Sequence, residues 1–141
     1  MKVRRDRQGD KDDMECKEYR KLTEKRLYAL VDIQARLAND YYMNVNGVRL
    51  EEDKTIGEEN FRTREDRLWD LREVYMLEDA LKSIENAPYY IVILERYIGG
   101  KTDEQIAEKL YCEVTTVWRN RMRLLNKMAV RLFGVKVVHS A

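Results

Sequence analysis

The sequence predicts an all-α protein: a long N-terminal helix, then a helical domain that ends in a helix-turn-helix. Three observations predict it. Charged residues make up 38% of the 141-residue chain, against one proline and six glycines, which suits long solvated helices with few breaks. Apolar residues recur at spacings of three and four along most of its length. Finally, residues 101–133 (KTDEQIAEKLYCEVTTVWRNRMRLLNKMAVRLF) form two helical patterns around a short turn. The second carries Arg119, Arg121, Arg123, Lys127 and Arg131, with no acid between Val114 and Phe133.

Residues 1–12 are polar and predict a disordered tail. Asp12 and Asp13 can cap a helix running to about Tyr42. Its apolar line is Tyr19, Leu22, Leu30, Ile33, Leu37 and Tyr41, with Ala29 beside it. A helix this long without breakers packs on the domain or pairs with a second copy, so residues 13–60 are expected to serve oligomerisation or partner contact. In that region 43–60 forms a connector. Asn46-Gly47 between Met43-Asn44-Val45 and Val48-Arg49-Leu50 predicts a turn or tiny hairpin. The acidic stretch after it holds five acids against one base over 51–60 and suits a solvated loop.

Residues 61–134 form the second domain. Thr63, with Asp66 three residues on, starts a helix whose expected buried stripe is Leu68, Leu71, Tyr75, Leu81 and Ile84. Pro88 suits the first position of a following, largely apolar helix to Ile98, which Gly99-Gly100 stops. Thr102 and Gln105 form a capping box for the next helix, to Leu110. Its small Ala107 lets two helices approach closely. The last helix runs from Val114 to Phe133 on an inner line of Val117, Leu124, Met128 and Leu132, and Gly134 ends it. Residues 135–141 are a short apolar tail.

Composition excludes several function classes. Cys16 and Cys112 are far apart and fit no metal spacing, and the single histidine, His139, lies in the tail. Neither a metal centre nor a histidine-based catalytic centre is expected. With no phosphate-cradling glycine loop and no nucleophile–base pair, the chain reads as a non-enzyme without cofactors. It has no apolar run of about 18 residues and no signal-peptide core, so a cytoplasmic protein without membrane contact is expected. Net charge is +1, yet 114–133 carries five bases and no acid. A basic patch on a balanced protein is the footprint of a nucleic-acid contact.

The segment ILERYIGGKTDEQIAEKLYCEVTTVWRNRMRLLNKMA resembles region 4 of sigma-70-type factors. It resembles more closely the small phage and prophage regulators built on that module, the ArpU/RinA-type late-gene activators. The likeness rests on Leu94, Arg96 and Tyr97, on Gly100-Lys101-Thr102, on Gln105-Ile106-Ala107 and on Thr116, Val117 and Arg119, and covers about residues 86–133. It implies a sigma region 4-like helical domain whose last two helices read double-stranded DNA, and transcription control of phage or prophage genes in a bacterial host. Three positions depart from the pattern. Tyr111 stands where Gly or Asn is usual, Glu113 where Ser usually caps, and Arg121 on a line that is usually apolar.

A recognition helix reads bases mainly from its N-terminal half. Thr115, Thr116, Arg119, Asn120 and Arg123 are the expected base contacts: Arg119 on guanine O6/N7, Asn120 on adenine N6/N7, the threonines on a thymine methyl or a phosphate. Lys101, Thr102, Lys127 and Arg131 are the expected phosphate contacts. Arg121 joins them if it snorkels outward, or else finds a carboxylate. Trp118 reads as a partly buried packing residue ahead of a base contact. The expected partners are double-stranded DNA, RNA polymerase and a second copy through the N-terminal helix. Two further readings fit the same residues. One is an RNA polymerase-binding adaptor on a sigma-like fold. The other is a DNA-packaging protein of small-terminase type, although those usually carry the motif near the N-terminus.

Overall fold

The computed structural model describes residues 2–45 and 62–134, with side chains over 16–41 and 62–134. All regular structure among the described residues is helical. The elements are α1 (Lys2–Val45), α2 (Arg64–Ser83), α3 (Tyr90–Ile93) continued by a π-helical turn (Leu94–Ile98), α4 (Asp103–Leu110) and α5 (Val114–Phe133). None of these helices is long and apolar enough to cross a membrane.

α1 begins at Lys2, so the stretch expected as a disordered tail is helical from Lys2 onward. Asp12 and Asp13 lie within the helix instead of capping it. No proline interrupts it, and Lys, Arg and Gln are good helix formers. Met43–Val45, expected as one arm of a hairpin, form its last turn. The rest of that hairpin, the acidic loop and the 135–141 tail lie outside the described residues. The buried line of α1 is Thr23, Leu27, Leu30 and Ile33. Thr23 tolerates burial because its hydroxyl donates to the Tyr19 carbonyl at 2.8 Å, within its own helix. Leu22 and Tyr41, expected on the inner line, are exposed.

α2 starts on the predicted capping box. The Thr63 hydroxyl accepts from Asp66 N–H and the Asp66 carboxylate accepts from Thr63 N–H, both at 3.0 Å. The expected stripe is only half right. Leu81 and Ile84 are buried with Leu77 and Ala80, whereas Leu68, Leu71 and Tyr75 face solvent. The reason is that the N-terminal half of α2 meets α1 through charges. Arg26 pairs with Glu73, Arg36 Nε lies 3.2 Å from Asp70, and Arg62 lies 2.6 Å from Asp70 and 2.9 Å from Asp40. These pairs occupy the face toward α1, so the apolar residues between them turn outward.

The helix expected from Pro88 starts two residues later. Pro88 lies in a turn, and Tyr89 precedes the helix in the left-handed region at φ 67°. After Ile93 the chain widens to a π-helical turn closed by Gly99 N–H to the Leu94 carbonyl at 2.9 Å. A Cβ on Gly99 would sit 2.8 Å from the Glu95 carbonyl oxygen, and Gly100 has φ 69°. Glycine is therefore needed at both positions, at Gly99 for the close approach and at Gly100 for the left-handed turn that ends the helix.

The main core joins Leu27 and Leu30 of α1, Leu77, Ala80 and Leu81 of α2, Ile93, Tyr97, and Leu124, Leu125 and Met128 of α5. A smaller cluster of Val92, Ile106, Ala107 and Val117 seats α4 against the start of α5. α1 packs along both α2 and α5. The C-terminal half of α5 is consequently enclosed on several sides. Its N-terminal half is held mainly through Val117 and Arg121.

Candidate nucleic-acid interface

The turn between α4 and α5 is three residues long, Tyr111 to Glu113. Thr102 caps α4 with its hydroxyl accepting from Gln105 N–H at 3.2 Å, and Gln105 returns its side-chain oxygen to Thr102 N–H at 3.0 Å. At the far end Tyr111 adopts φ 54°, ψ 45°. Cys112 N–H then reaches the Ala107 carbonyl at 3.1 Å, and Tyr111 N–H reaches Glu108 at 3.4 Å. This is a Schellman closure with tyrosine in the place that glycine usually takes. Leu110 and Cys112 pack on the small core cluster, which fixes the angle at which α5 leaves the turn. Glu113 makes no side-chain cap bond, so the first amides of α5 have no side-chain acceptor there.

Arg121 is 6% exposed, at the joint of four elements. Its Nε and Nη2 fork onto Asp103 of α4 at 3.0 and 2.8 Å. Its Nη1 donates to Glu24 of α1 at 2.9 Å and to the Tyr97 hydroxyl at 3.1 Å. Tyr97 in turn donates to Glu24 at 2.5 Å. Burial opposes the charge on Arg121, but its bonds to Asp103 and Tyr97 outweigh that and hold its pKa above the ordinary arginine value. Burial, then the Glu24 hydrogen bond, push the Tyr97 hydroxyl well above the usual phenol range, so it stays protonated. This corrects the expectation that Arg121 touches a phosphate. It sits on the inner line, where desolvation demands a partner, and it finds two carboxylates.

The other expected site residues divide by what they touch. Thr115 and Arg119 are exposed and point outward, and Arg119 has no ion pair among the described residues. Thr116, Asn120 and Arg123 lie on the adjoining flank. Asn120 donates to the Thr116 carbonyl at 2.8 Å and accepts from Arg123 at 3.1 Å, and Arg123 also donates to the Pro88 carbonyl at 3.3 Å. These three are therefore tied to one another and to the turn before α3, not presented singly.

Among the expected phosphate contacts, Lys127 is exposed, with no ion pair among the described residues. Lys101 shares Glu95 with Lys109, at 2.8 and 2.5 Å. Those two ammonium groups, Lys101 first, hold the Glu95 carboxyl below its usual range. Thr102 uses its hydroxyl and its N–H in the cap. Arg131 is turned toward α2, 2.7 Å from Asp79.

On sequence alone Trp118 reads as a packing residue ahead of a base contact. It is 51% exposed and lies between Thr115 and Arg119 on the outward side. The signal was present, because positions 115, 118 and 119 are i, i+3 and i+4 of one helical face. Val114 and Tyr111, the latter 97% exposed, continue the outward surface into the turn. Among the described residues no group of His, Cys, Asp and Glu is placed to hold a metal ion. No family model matches the chain, and comparison with curated proteins and with solved structures gives no match.

Proposed function

We propose that the chain is a sequence-specific DNA-binding transcription regulator of phage or prophage type, acting in the cytoplasm of a bacterial host. In this reading α4 and α5 are a helix-turn-helix within a sigma region 4-like domain, and the N-terminal half of α5 enters the major groove. The observation that carries the reading is the outward face of that half-helix. Thr115 and Arg119 are exposed on it, and no carboxylate among the described residues pairs with Arg119. A three-residue turn and two capping devices hold it at a fixed angle. A guanidinium free to fork onto guanine O6/N7 is the commonest specific contact in that groove. Lys127 further along, and Lys101 at the start of α4, suit flanking phosphates. The motif likeness over residues 86–133 supports the phage assignment.

We also propose that two copies act together, as half-sites about one helical turn apart require. The inner line of α1 is already used within the chain. That leaves its outward residues Leu22 and Val31 for contact with a second copy or with RNA polymerase.

Titration of a labelled random-sequence duplex tests the reading. At about 50 mM salt the full chain should be retained on DNA, with log affinity falling against log salt at a slope of about −2 to −4 per chain, the value for two to four phosphates. Absence of retention at that salt sinks it.

A further inference from the structure

Resting on the DNA-binding reading, we infer that Trp118 is a specificity residue that recognises the 5-methyl group of thymine. Half of this large residue is exposed, and no ring or cation contact holds it among the described residues. It stands one position before Arg119 and three after Thr115, within the outward stripe. Val114, exposed at 41%, flanks it one turn earlier. An indole offers a broad apolar face and a single N–H donor, so it cannot make the paired hydrogen bonds that distinguish one base edge from another. The thymine methyl is the apolar group that the major-groove floor presents, and it is the natural partner of an apolar side chain there. Trp118 beside Arg119 thus selects a thymine close to the guanine that Arg119 reads.

Tyr111, at the lip of the turn, is too far back along the chain to share the α5 stripe and has no part in this inference.

The test uses the full chain and a duplex that it selects from a random pool. Each thymine of that duplex is replaced in turn by deoxyuridine, which removes the methyl and nothing else. At one or two positions the wild type should lose affinity by about fourfold, the worth of one buried methyl-sized group. Trp118→Ala should bind the thymine and uracil forms of those positions equally, with its thermal melt unchanged because the side chain lies outside the core. If the wild type binds every uracil duplex as tightly as the parent, or selects a site without thymine, the inference is overturned while DNA binding stands. If the wild type selects no duplex and is not retained on DNA, the DNA-binding reading fails and the inference with it. A folded Trp118→Ala that still prefers thymine over uracil also overturns the inference, because Thr115 or Thr116 then holds the methyl, and the wild-type comparison can overturn it even if the variant does not fold.

Discussion

Arg119 and Arg121 are two residues apart on α5 and face opposite ways. One is exposed without an ion pair among the described residues. The other is buried on Asp103, Glu24 and Tyr97. Arg121 stood on a line that is usually apolar, which left it either to snorkel toward a phosphate or to find a carboxylate, and burial settled it on the carboxylates. Which carboxylate was not legible. Asp103 is 18 residues away and Glu24 is 97, and no local spacing connects them. Arg121→Ala should destabilise the fold by about 3 kcal/mol, because in a desolvated joint it leaves Glu24 without its partner and Asp103 with only the longer Arg96 contact at 3.7 Å. Chemical denaturation measures this. The salt slope of DNA binding by the folded variant should stay at the wild-type value. Unchanged stability together with a slope reduced by about one would instead make Arg121 a phosphate contact. Trp118 teaches the converse. Its residue type suggested packing, while its position three residues after Thr115 and one before Arg119 placed it outward.

At the scale of elements, the starts and stops written in polar side chains were readable. Both capping boxes form as their sequences predict, and Gly99-Gly100 and Gly134 end the helices that they were expected to end. Faces were harder. The outward Leu68, Leu71 and Tyr75 obey the same periodicity as a buried stripe, and the rotation of α2 is set instead by Leu77, Ala80 and Leu81 in the core together with the ion pairs on Asp70 and Glu73. Asp70 is central to that decision. Hydrogen bonds, first from Arg36 and then from Arg62, hold its carboxyl below the usual range against the opposing effect of burial. A carboxylate lowered in the folded state stabilises the fold above its unfolded pKa of about 4, and that contribution is lost as pH falls through the lower folded value. Thermal melts should therefore show the wild type losing stability below about pH 4. Asp70→Asn should melt lower at neutral pH and lose less on acidification. Parallel curves for the two proteins would contradict the role given to Asp70.

Across the whole molecule, α1 ties the other helices together. Leu27 and Leu30 enter the main core, Tyr19 packs on Phe133 at the end of α5 with ring centroids 5.3 Å apart, and Glu24 reaches the joint beneath the outward half of α5. The all-helical class was legible from charge, scarcity of breakers and apolar spacing. The extent of α1 was not, because a charged segment without proline reads equally as tail or as helix. The position of the candidate interface follows from this packing: enclosing the C-terminal half of α5 leaves its N-terminal half as the part able to meet a large partner. The central claim is that this half reads DNA bases, with Arg119 making the sequence-dependent contact. Its most direct test compares wild type and Arg119→Ala, each titrated against the selected duplex and against random duplex at one salt concentration. The account predicts that the variant loses at least tenfold on the selected duplex, a loss of about 1.4 kcal/mol, and much less on random DNA. Equal losses on both would make Arg119 a phosphate contact and would contradict the claim.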